Sequence, residues 1–192
     1  LDRRQRQMCI RDSLSGDVQL ADVTDNYAIL GVMGPKTSQL GAVLNATWLD
    51  EIGYFKHADG QIDGIAVTAA RLSYIGEAGW ELTCRCGDAL QLYHLISTAG
   101  GLPIGSLAQT SMRIEKGFIS YGYDVDTDVT PAMAGLAFLV DTKSDFIGKQ
   151  ALQGVSAPVK RLVTIILDDR NAVPLGGEPC LLYTSDAADD RV

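Results

Sequence analysis

The sequence predicts an α+β fold, because strand-like and helix-like segments follow one another without strict alternation. A five-residue connection, residues 75–79, joins two strand-like segments and is typical of a β-hairpin. Apolar residues recur at helical spacing in two later segments, residues 88–97 and 106–117. A chain of 192 residues, 46% of them hydrophobic, is long enough to bury the core of such a fold without disulfides or metal.

The first part of the chain predicts strands with one helix between them. Residues 27–33 are an apolar run closed by Gly34-Pro35, which predicts a buried strand. Pro35 suits the first turn of a helix, which we place at residues 35–44. Asp59-Gly60 predicts a turn, and β-branched residues predict a long strand at residues 62–74.

The middle of the chain predicts a strand at residues 80–86 and the two helices. Asp88 is a suitable N-cap for the first helix, and Ser106 for the second. Gly117 is placed to end the second helix in a left-handed conformation. The apolar face of the second helix is expected to consist of Leu107, Ser111, Ile114 and Phe118.

The last part of the chain predicts short elements after a loop at residues 122–135. We expect a short strand at residues 138–141 and a short helix at 145–152. A linker at residues 155–158 precedes a Val/Ile/Leu-rich strand at residues 161–167, whose apolar side chains we expect to be exposed and prone to aggregation.

The charge and composition exclude several classes of function. Sixteen Lys and Arg against 24 Asp and Glu give a net charge of −8, which disfavours binding along a nucleic-acid backbone. No run reaches the roughly 18 apolar residues of a membrane span. Four cysteines are too few for a disulfide scaffold of this size, so we expect a reducing, cytoplasmic compartment. The expected partners are small molecules, with neither nucleic acid nor membrane among them.

Both ends of the chain carry sequence that we expect to be non-native. Residues 7–13 and 180–190 resemble translated sequencing-adapter sequence. The alternatives are a basic arm with an acidic tail, or a transit peptide. We therefore predict non-native tails at residues 1–13 and 181–192, so that the chain is an internal fragment. Three apolar residues of these tails are expected to be exposed, namely Ile10, Leu181 and Leu182.

The residues that could carry chemistry are few. The sequence contains no G-x-S-x-G, Walker A, G-x-G-x-x-G or H-E-x-x-H motif. Neighbouring strand residues point to opposite faces, so Cys84 and Cys86 do not predict a metal site. Glu81 lies between the apolar residues Trp80 and Leu82, and its carboxylate either faces solvent or receives a polar ligand.

Three further candidates have equally plain structural interpretations. Helical periodicity places Arg113 on a face with Gln109 and Lys116, which predicts a solvated side chain. Tyr74 and Tyr121 are expected to be half-buried tyrosines with a solvated hydroxyl.

Five segments, in order, resemble motifs of the aminomethyltransferase family. That family includes the glycine-cleavage T-protein and the C-terminal region of dimethylglycine and sarcosine dehydrogenases. Residues 71–82, Arg-Leu-Ser-Tyr-Ile-Gly-Glu-Ala-Gly-Trp-Glu-Leu, resemble R-x-[ST]-Y-x-G-E-x-G-[WYF]-E. Residues 31–35 resemble G-x-x-G-P, and residues 111–117 resemble [ST]-x-R-x-E-[KA]-G. Residues 130–136 resemble T-P-x-x-A-G-L, and residues 145–152 resemble D-F-I-G-[KR]-x-A-L.

This resemblance implies a truncated aminomethyltransferase (T-protein-like) fold. Residues 14–157 would form the folate-binding region, incomplete at its N-terminus. Residues 158–180 would begin the C-terminal β-barrel domain.

The resemblance also implies tetrahydrofolate as cofactor. It places the carboxylate that accepts two pterin hydrogen bonds at Glu81, and a ring that packs on the cofactor at Tyr74. Arg113 would supply a cationic fork, and Tyr121 completes the folate-binding set. No metal is implied, and the family's aspartate is expected upstream of residue 14. The sequence leaves open whether Tyr74 and Glu81 share a face of the sheet.

The function that the resemblance implies is one-carbon transfer to tetrahydrofolate. The parent protein would be a flavin-linked dimethylglycine or sarcosine dehydrogenase, with FAD held by an upstream part, and this chain alone would be inactive. One alternative is a free-standing T-protein, or a related folate-dependent demethylase, with a lipoyl carrier protein as partner of the T-protein. The other is a non-catalytic folate-binding regulatory or assembly factor.

Overall fold

The computed structural model describes residues 21–154, 160–169 and 171–173. These residues fall into two compact units that divide between Lys116 and Gly117. The predicted tails, with Ile10, Leu181 and Leu182, and the predicted linker at 155–158 lie outside the described residues.

The first unit contains a four-stranded antiparallel sheet with strand order β1-β4-β3-β2. Its strands are β1 (Tyr27–Met33), β2 (His57–Ile62), β3 (Ile65–Ala70) and β4 (Gly79–Arg85). Its helices are α1 (Thr37–Val43), α2 (Ala89–Thr98) and α3 (Ser106–Glu115). Short 3-10 helices lie at Thr24–Asn26, Thr47–Glu51 and Cys86–Asp88. The α+β class is confirmed.

One face of the sheet forms the core of this unit. Alternate residues of the strands are buried there, because successive side chains of a strand point to opposite faces. The indole Nε1 of buried Trp80 donates a 2.8 Å hydrogen bond to the Leu49 carbonyl oxygen, which joins β4 to the Thr47–Glu51 segment. Leu92 and Ile96 of α2 pack into the same core, as their helical spacing predicts.

The predicted strand at residues 62–74 is wrong in its extent, and so is the predicted turn at Asp59-Gly60. The chain turns at Asp63-Gly64, where both residues have positive φ (49° and 79°), as a two-residue hairpin turn requires. Gly60 lies inside β2, where a Cβ would overlap the Trp48 ring. The indole ring therefore keeps the first Asp-Gly pair in the strand.

Helix α3 is correctly placed, but the face that it buries is wrong. Leu107 is 86% exposed and Ile114 is 49% exposed, whereas Arg113 is only 3% exposed. The periodicity establishes which residues share a face, and the polar face is the one that packs inward. Gly117 has the predicted positive φ, at 72°.

The second unit has little regular structure in its described part. It contains a 3-10 helix at Ala137–Leu139, where a strand was predicted, and helix α4 (Lys149–Gln153). The predicted strand at residues 161–167 is wrong: these residues form no strand, and the Leu162 backbone N–H donates to the Met133 carbonyl oxygen at 2.9 Å. Their apolar side chains are exposed as expected. In the described part of the chain, helices fall short of the length and apolarity of a membrane span.

Candidate functional site

The candidate site lies on the sheet face opposite the core. Trp80 and Leu82 of β4 point into the core and are 2% and 1% exposed, so Glu81 between them projects from the other face. This face also carries Gly31 of β1 and Ala70 of β3, which stand directly opposite Glu81 in the two neighbouring strands. The Glu81 side chain is therefore flanked by the two smallest residue types.

The small neighbours leave a recess beside the Glu81 carboxylate. A Cβ added at Gly31 would meet only the Met33 Cε atom, at 3.8 Å. Glu81 is half-buried, and no hydrogen bond or ion pair joins its carboxylate to another residue in the part of the chain that the structure describes. A half-buried carboxylate between such small neighbours can accept hydrogen bonds from a flat ligand with paired donors.

The backbone of Tyr74 contacts Met33, whose side chain lies on the Glu81 face of the sheet. The Tyr74 backbone N–H donates to the Met33 Sδ atom at 3.4 Å. The Met33 side chain extends over Gly31, on the face that carries Glu81. Tyr74 is 38% exposed. The Tyr74 backbone thus contacts a side chain on the Glu81 face, although Tyr74 itself lies in the connection after β3 and not in a strand.

Arg113 lies in the last turn of α3 and is buried, contrary to the solvated side chain that periodicity predicts. Lys116 follows it by one turn and shares its face. The Lys116 Nζ atom forms a 3.2 Å ion pair with Glu77 Oε1 in the β3–β4 connection. The face of α3 that bears Arg113 is therefore directed to the connection that carries Tyr74.

Tyr121 belongs to the second unit and is described with it. Its backbone forms an isolated bridge with Val125, and its side chain is 59% exposed. Of the four predicted folate-binding residues, Tyr74, Glu81 and Arg113 thus belong to the first unit and Tyr121 to the second.

The two cysteines near the site differ in burial. Cys84 points into the core, and Cys86 is exposed. Burial raises the pKa of the Cys84 thiol, and the nearby Asp88 carboxylate and Cys86 raise it further. The described residues contain no group of three or more His, Cys, Asp and Glu side chains arranged to hold a metal ion.

Sequence reasoning missed Gly31, Met33 and Lys116 as parts of this site. The signal for the first two lies in the alternation of β1, because residues 29, 31 and 33 share one face. Lys116 needed the tertiary structure, since its contact with the β3–β4 connection spans about 40 positions of sequence.

The first unit is an antiparallel α+β domain, and comparison with known proteins identifies the family of the chain. Residues 2–144 match the family model of the GCVT N-terminal domain, and the chain belongs to this family. The predicted family membership is thereby confirmed.

The relatives fall into two groups at nearly equal similarity. The chain is 36% identical over 172 residues to human mitochondrial dimethylglycine dehydrogenase, covering 84% of this chain and 20% of that protein. It is 37% identical over 170 residues to the aminomethyltransferase of Shouchella clausii, covering 84% of this chain and 46% of that protein. An aminomethyltransferase of Clostridium botulinum is 36% identical over 163 residues, covering 80% and 44%. The chain spans between a fifth and about half of the length of these relatives.

Proposed function

We propose that this chain is the tetrahydrofolate-binding region of a one-carbon-transferring enzyme. The observation that carries the proposal is the half-buried Glu81 carboxylate, which has no partner among the described residues and stands between Gly31 and Ala70. Membership of the GCVT N-terminal domain family supports it, as does similarity to proteins named aminomethyltransferase.

The residues present fit a reduced pterin. Such a ring presents an amino group and a ring N–H side by side, and a carboxylate accepts hydrogen bonds from both. Glu81 supplies the carboxylate, and the missing side chain at Gly31 leaves space for the edge of a flat ring. The half-exposed ring of Tyr74 would pack on the cofactor. Arg113 and Tyr121 complete the proposed folate-binding set.

When bound, tetrahydrofolate supplies the amine nitrogens that take up a methylene group. The residues of this chain contribute binding and orientation: Glu81 fixes one edge of the ring and Tyr74 limits its tilt. Holding the cofactor in one orientation near a reactive carbon removes much of the entropic cost of their encounter. The proposal assigns no catalytic residue and no metal to this chain.

For the whole protein we propose a flavin-linked dimethylglycine or sarcosine dehydrogenase. The similarity to human dimethylglycine dehydrogenase supports this choice. FAD would be held by another part of that protein, and a small N-methyl amine would be its substrate. The domain limits at 14–157 and 158–180, the barrel start in the latter, the non-native tails and the cytoplasmic location stay predictions.

A free-standing aminomethyltransferase is the second candidate. It is favoured by the Shouchella clausii relative, of which this chain covers 46% at 37% identity. In that case the methylene group would come from an aminomethyl group on a lipoyl carrier protein.

The proposal is tested by measuring two activities, amine oxidation and formation of methylene-tetrahydrofolate, in the full-length protein that contains this chain. Oxidation of dimethylglycine with an artificial electron acceptor should survive Glu81→Gln, while the yield of methylene-tetrahydrofolate should fall at least about tenfold. Equal loss of both activities would contradict a role confined to folate. Failure to oxidise dimethylglycine or sarcosine, with turnover of an aminomethyl-lipoyl carrier, would establish the second candidate instead.

A further inference from the structure

A lysine outside the proposed folate-binding set holds the β3–β4 loop (residues 71–78) in place. The aliphatic stem of Lys116 crosses directly over Gly76: a Cβ at Gly76 would lie 2.5 Å from Lys116 Cγ and 2.8 Å from Lys116 Cβ. Gly76 also has a positive φ of 76°, which other residues rarely adopt. Glycine is therefore required at this position both by the backbone turn and by the lysine above it.

The stem, and not the charge, accounts for most of this contact. The Lys116 and Glu77 side chains of the 3.2 Å ion pair are 47% and 36% exposed. Ion pairs with this much exposure contribute little to stability, because water and salt screen them. The methylene groups over Gly76, by contrast, cover backbone that a shorter residue would leave open.

The loop that Lys116 covers connects two residues of the proposed site. Tyr74 lies two residues before Gly76, and Glu81 lies five residues after it. The loop is tied at two points to β1 and the turn that follows it: the Tyr74 N–H donates to Met33 Sδ at 3.4 Å, and the Gly34 N–H donates to the Ala78 carbonyl oxygen at 2.8 Å. Between these ties, Lys116 provides a contact from a different element.

Lys116 also ties the loop to the helix of Arg113. The two residues are three apart and lie on one face of the last turn of α3. The contact between Lys116 and Gly76 therefore links the segment that bears Arg113 to the segment that bears Tyr74 and Glu81.

We propose that Lys116 is a positioning residue for folate: its stem, packed over Gly76, holds the β3–β4 loop so that Tyr74, Glu81 and Arg113 keep their relative places. This inference rests on the proposed function. It adds to the site a residue that does not touch the cofactor, and it predicts that the length of the side chain matters more than its charge.

The test compares three variants of the full-length protein that contains this chain by calorimetric titration with tetrahydrofolate. Lys116→Ala removes both stem and charge and should weaken binding about five- to tenfold. Lys116→Met keeps a stem of similar length without the charge and should stay within about twofold of wild type. Glu77→Gln, the matched control, breaks only the ion pair and should also stay within about twofold.

Hydrogen exchange provides a second measurement, which reports on the loop and needs no folate. Hydrogen exchange at residues 72–78 should be faster in Lys116→Ala and unchanged in Lys116→Met, because only the former uncovers Gly76.

The inference is overturned if Lys116→Ala binds folate as wild type does, or if Lys116→Met is as weak as Lys116→Ala. A full-length wild-type protein that binds no tetrahydrofolate, with hydrogen exchange responding as described, would instead refute the proposed function and leave Lys116 as a support of the loop alone.

Discussion

Glu81 and Gly31 stand directly opposite each other in the β1–β4 pair, on the sheet face that points away from the core. A carboxylate on a central strand is thus placed beside a position without a side chain. The recess that results is the feature on which the proposed folate site depends.

Filling the recess should lower the affinity for folate without lowering the stability of the fold. Gly31→Val places a β-branched side chain beside Glu81, and the free energy of unfolding should stay equal or rise by up to about 1 kcal/mol, because valine favours strands. Folate affinity should fall at least about tenfold, since the pterin edge loses its space. Urea unfolding and calorimetric titration measure the two quantities.

Ala66→Val is the control for this change. Ala66 lies on the same face of β3, opposite Gln61 and away from Glu81. It should leave folate affinity unchanged. If Gly31→Val also leaves the affinity unchanged, the recess plays no part in binding.

Loss of the hydrogen bond between Trp80 and the Leu49 carbonyl oxygen should lower the free energy of unfolding. Trp80→Phe removes the donor to the Leu49 carbonyl oxygen in a site that is 2% exposed, and leaving a buried acceptor without a partner costs about 1–3 kcal/mol. Trp48→Phe is the matched control, because Trp48 is half-buried and its 3.3 Å bond to the Gln61 carbonyl oxygen is exposed. Urea unfolding should show a smaller loss for Trp48→Phe. Equal losses would contradict the packing described for β4.

Cys84 in β4 and Cys86, which directly follows β4, should differ in their reactivity with alkylating agents. Burial raises the pKa of Cys84, with a further contribution from Asp88, and the thiolate is the reactive form. Iodoacetamide at pH 8 should therefore label Cys86 first. Trypsin cuts after Arg85, so mass spectrometry assigns each label to its own peptide. Similar labelling of both thiols in the native chain, and not only in denaturant, would contradict the burial of Cys84.

The raised pKa of Cys84 also predicts that the protein loses stability at alkaline pH. The folded state holds the Cys84 proton more tightly than the unfolded state does. The free energy of unfolding should therefore be constant below the ordinary thiol pKa and fall as pH rises through it. Replacing Cys84 with Ala should remove this part of the alkaline loss.

The exposed apolar segment of the second unit should cause self-association. Leu162, Val163, Ile165, Ile166 and Leu167 are between 44% and 89% exposed. Ile166→Lys should lower the apparent mass in light scattering, and Gln150→Lys, which adds the same charge at an exposed position of α4, should not. A wild-type chain that stays monomeric at high concentration would rule this out.

The elements with the clearest burial pattern were predictable from sequence. Strand β4 and helix α2 lie within a residue of their predicted bounds, because both combine a continuous apolar face with a clear end signal. The hairpin between β2 and β3 was misplaced because the sequence contains two Asp-Gly pairs four residues apart. Packing of Trp48 on Gly60 decides between them, and such packing is invisible before the chain is folded.

The site was predictable in its residue types and not in its arrangement. A carboxylate at Glu81 was identified from its apolar neighbours and from family motifs. Its face, its small neighbour Gly31 and the burial of Arg113 depend on strand register and on which side of α3 meets the loop. Register and helix orientation are tertiary properties: one residue of slip reverses the face of every residue in a strand, and a shift of one residue turns a helical face by about 100°.

Titration with tetrahydrofolate of the full-length protein that contains this chain, comparing wild type with Glu81→Gln, tests the central claim most directly. The amide turns one acceptor oxygen into a donor that faces the donors of the pterin, which should cost about 2–4 kcal/mol, a factor of about 30 to 700 in affinity. Arg113→Lys should lose less, because the charge remains and only the fork is lost. Glu77→Gln is the control and should change the free energy of binding by less than about 0.5 kcal/mol. A large loss for Glu81→Gln with an unchanged Glu77→Gln is the predicted result; equal affinities for wild type and Glu81→Gln would contradict it and make Glu81 a solvated residue of the outer face.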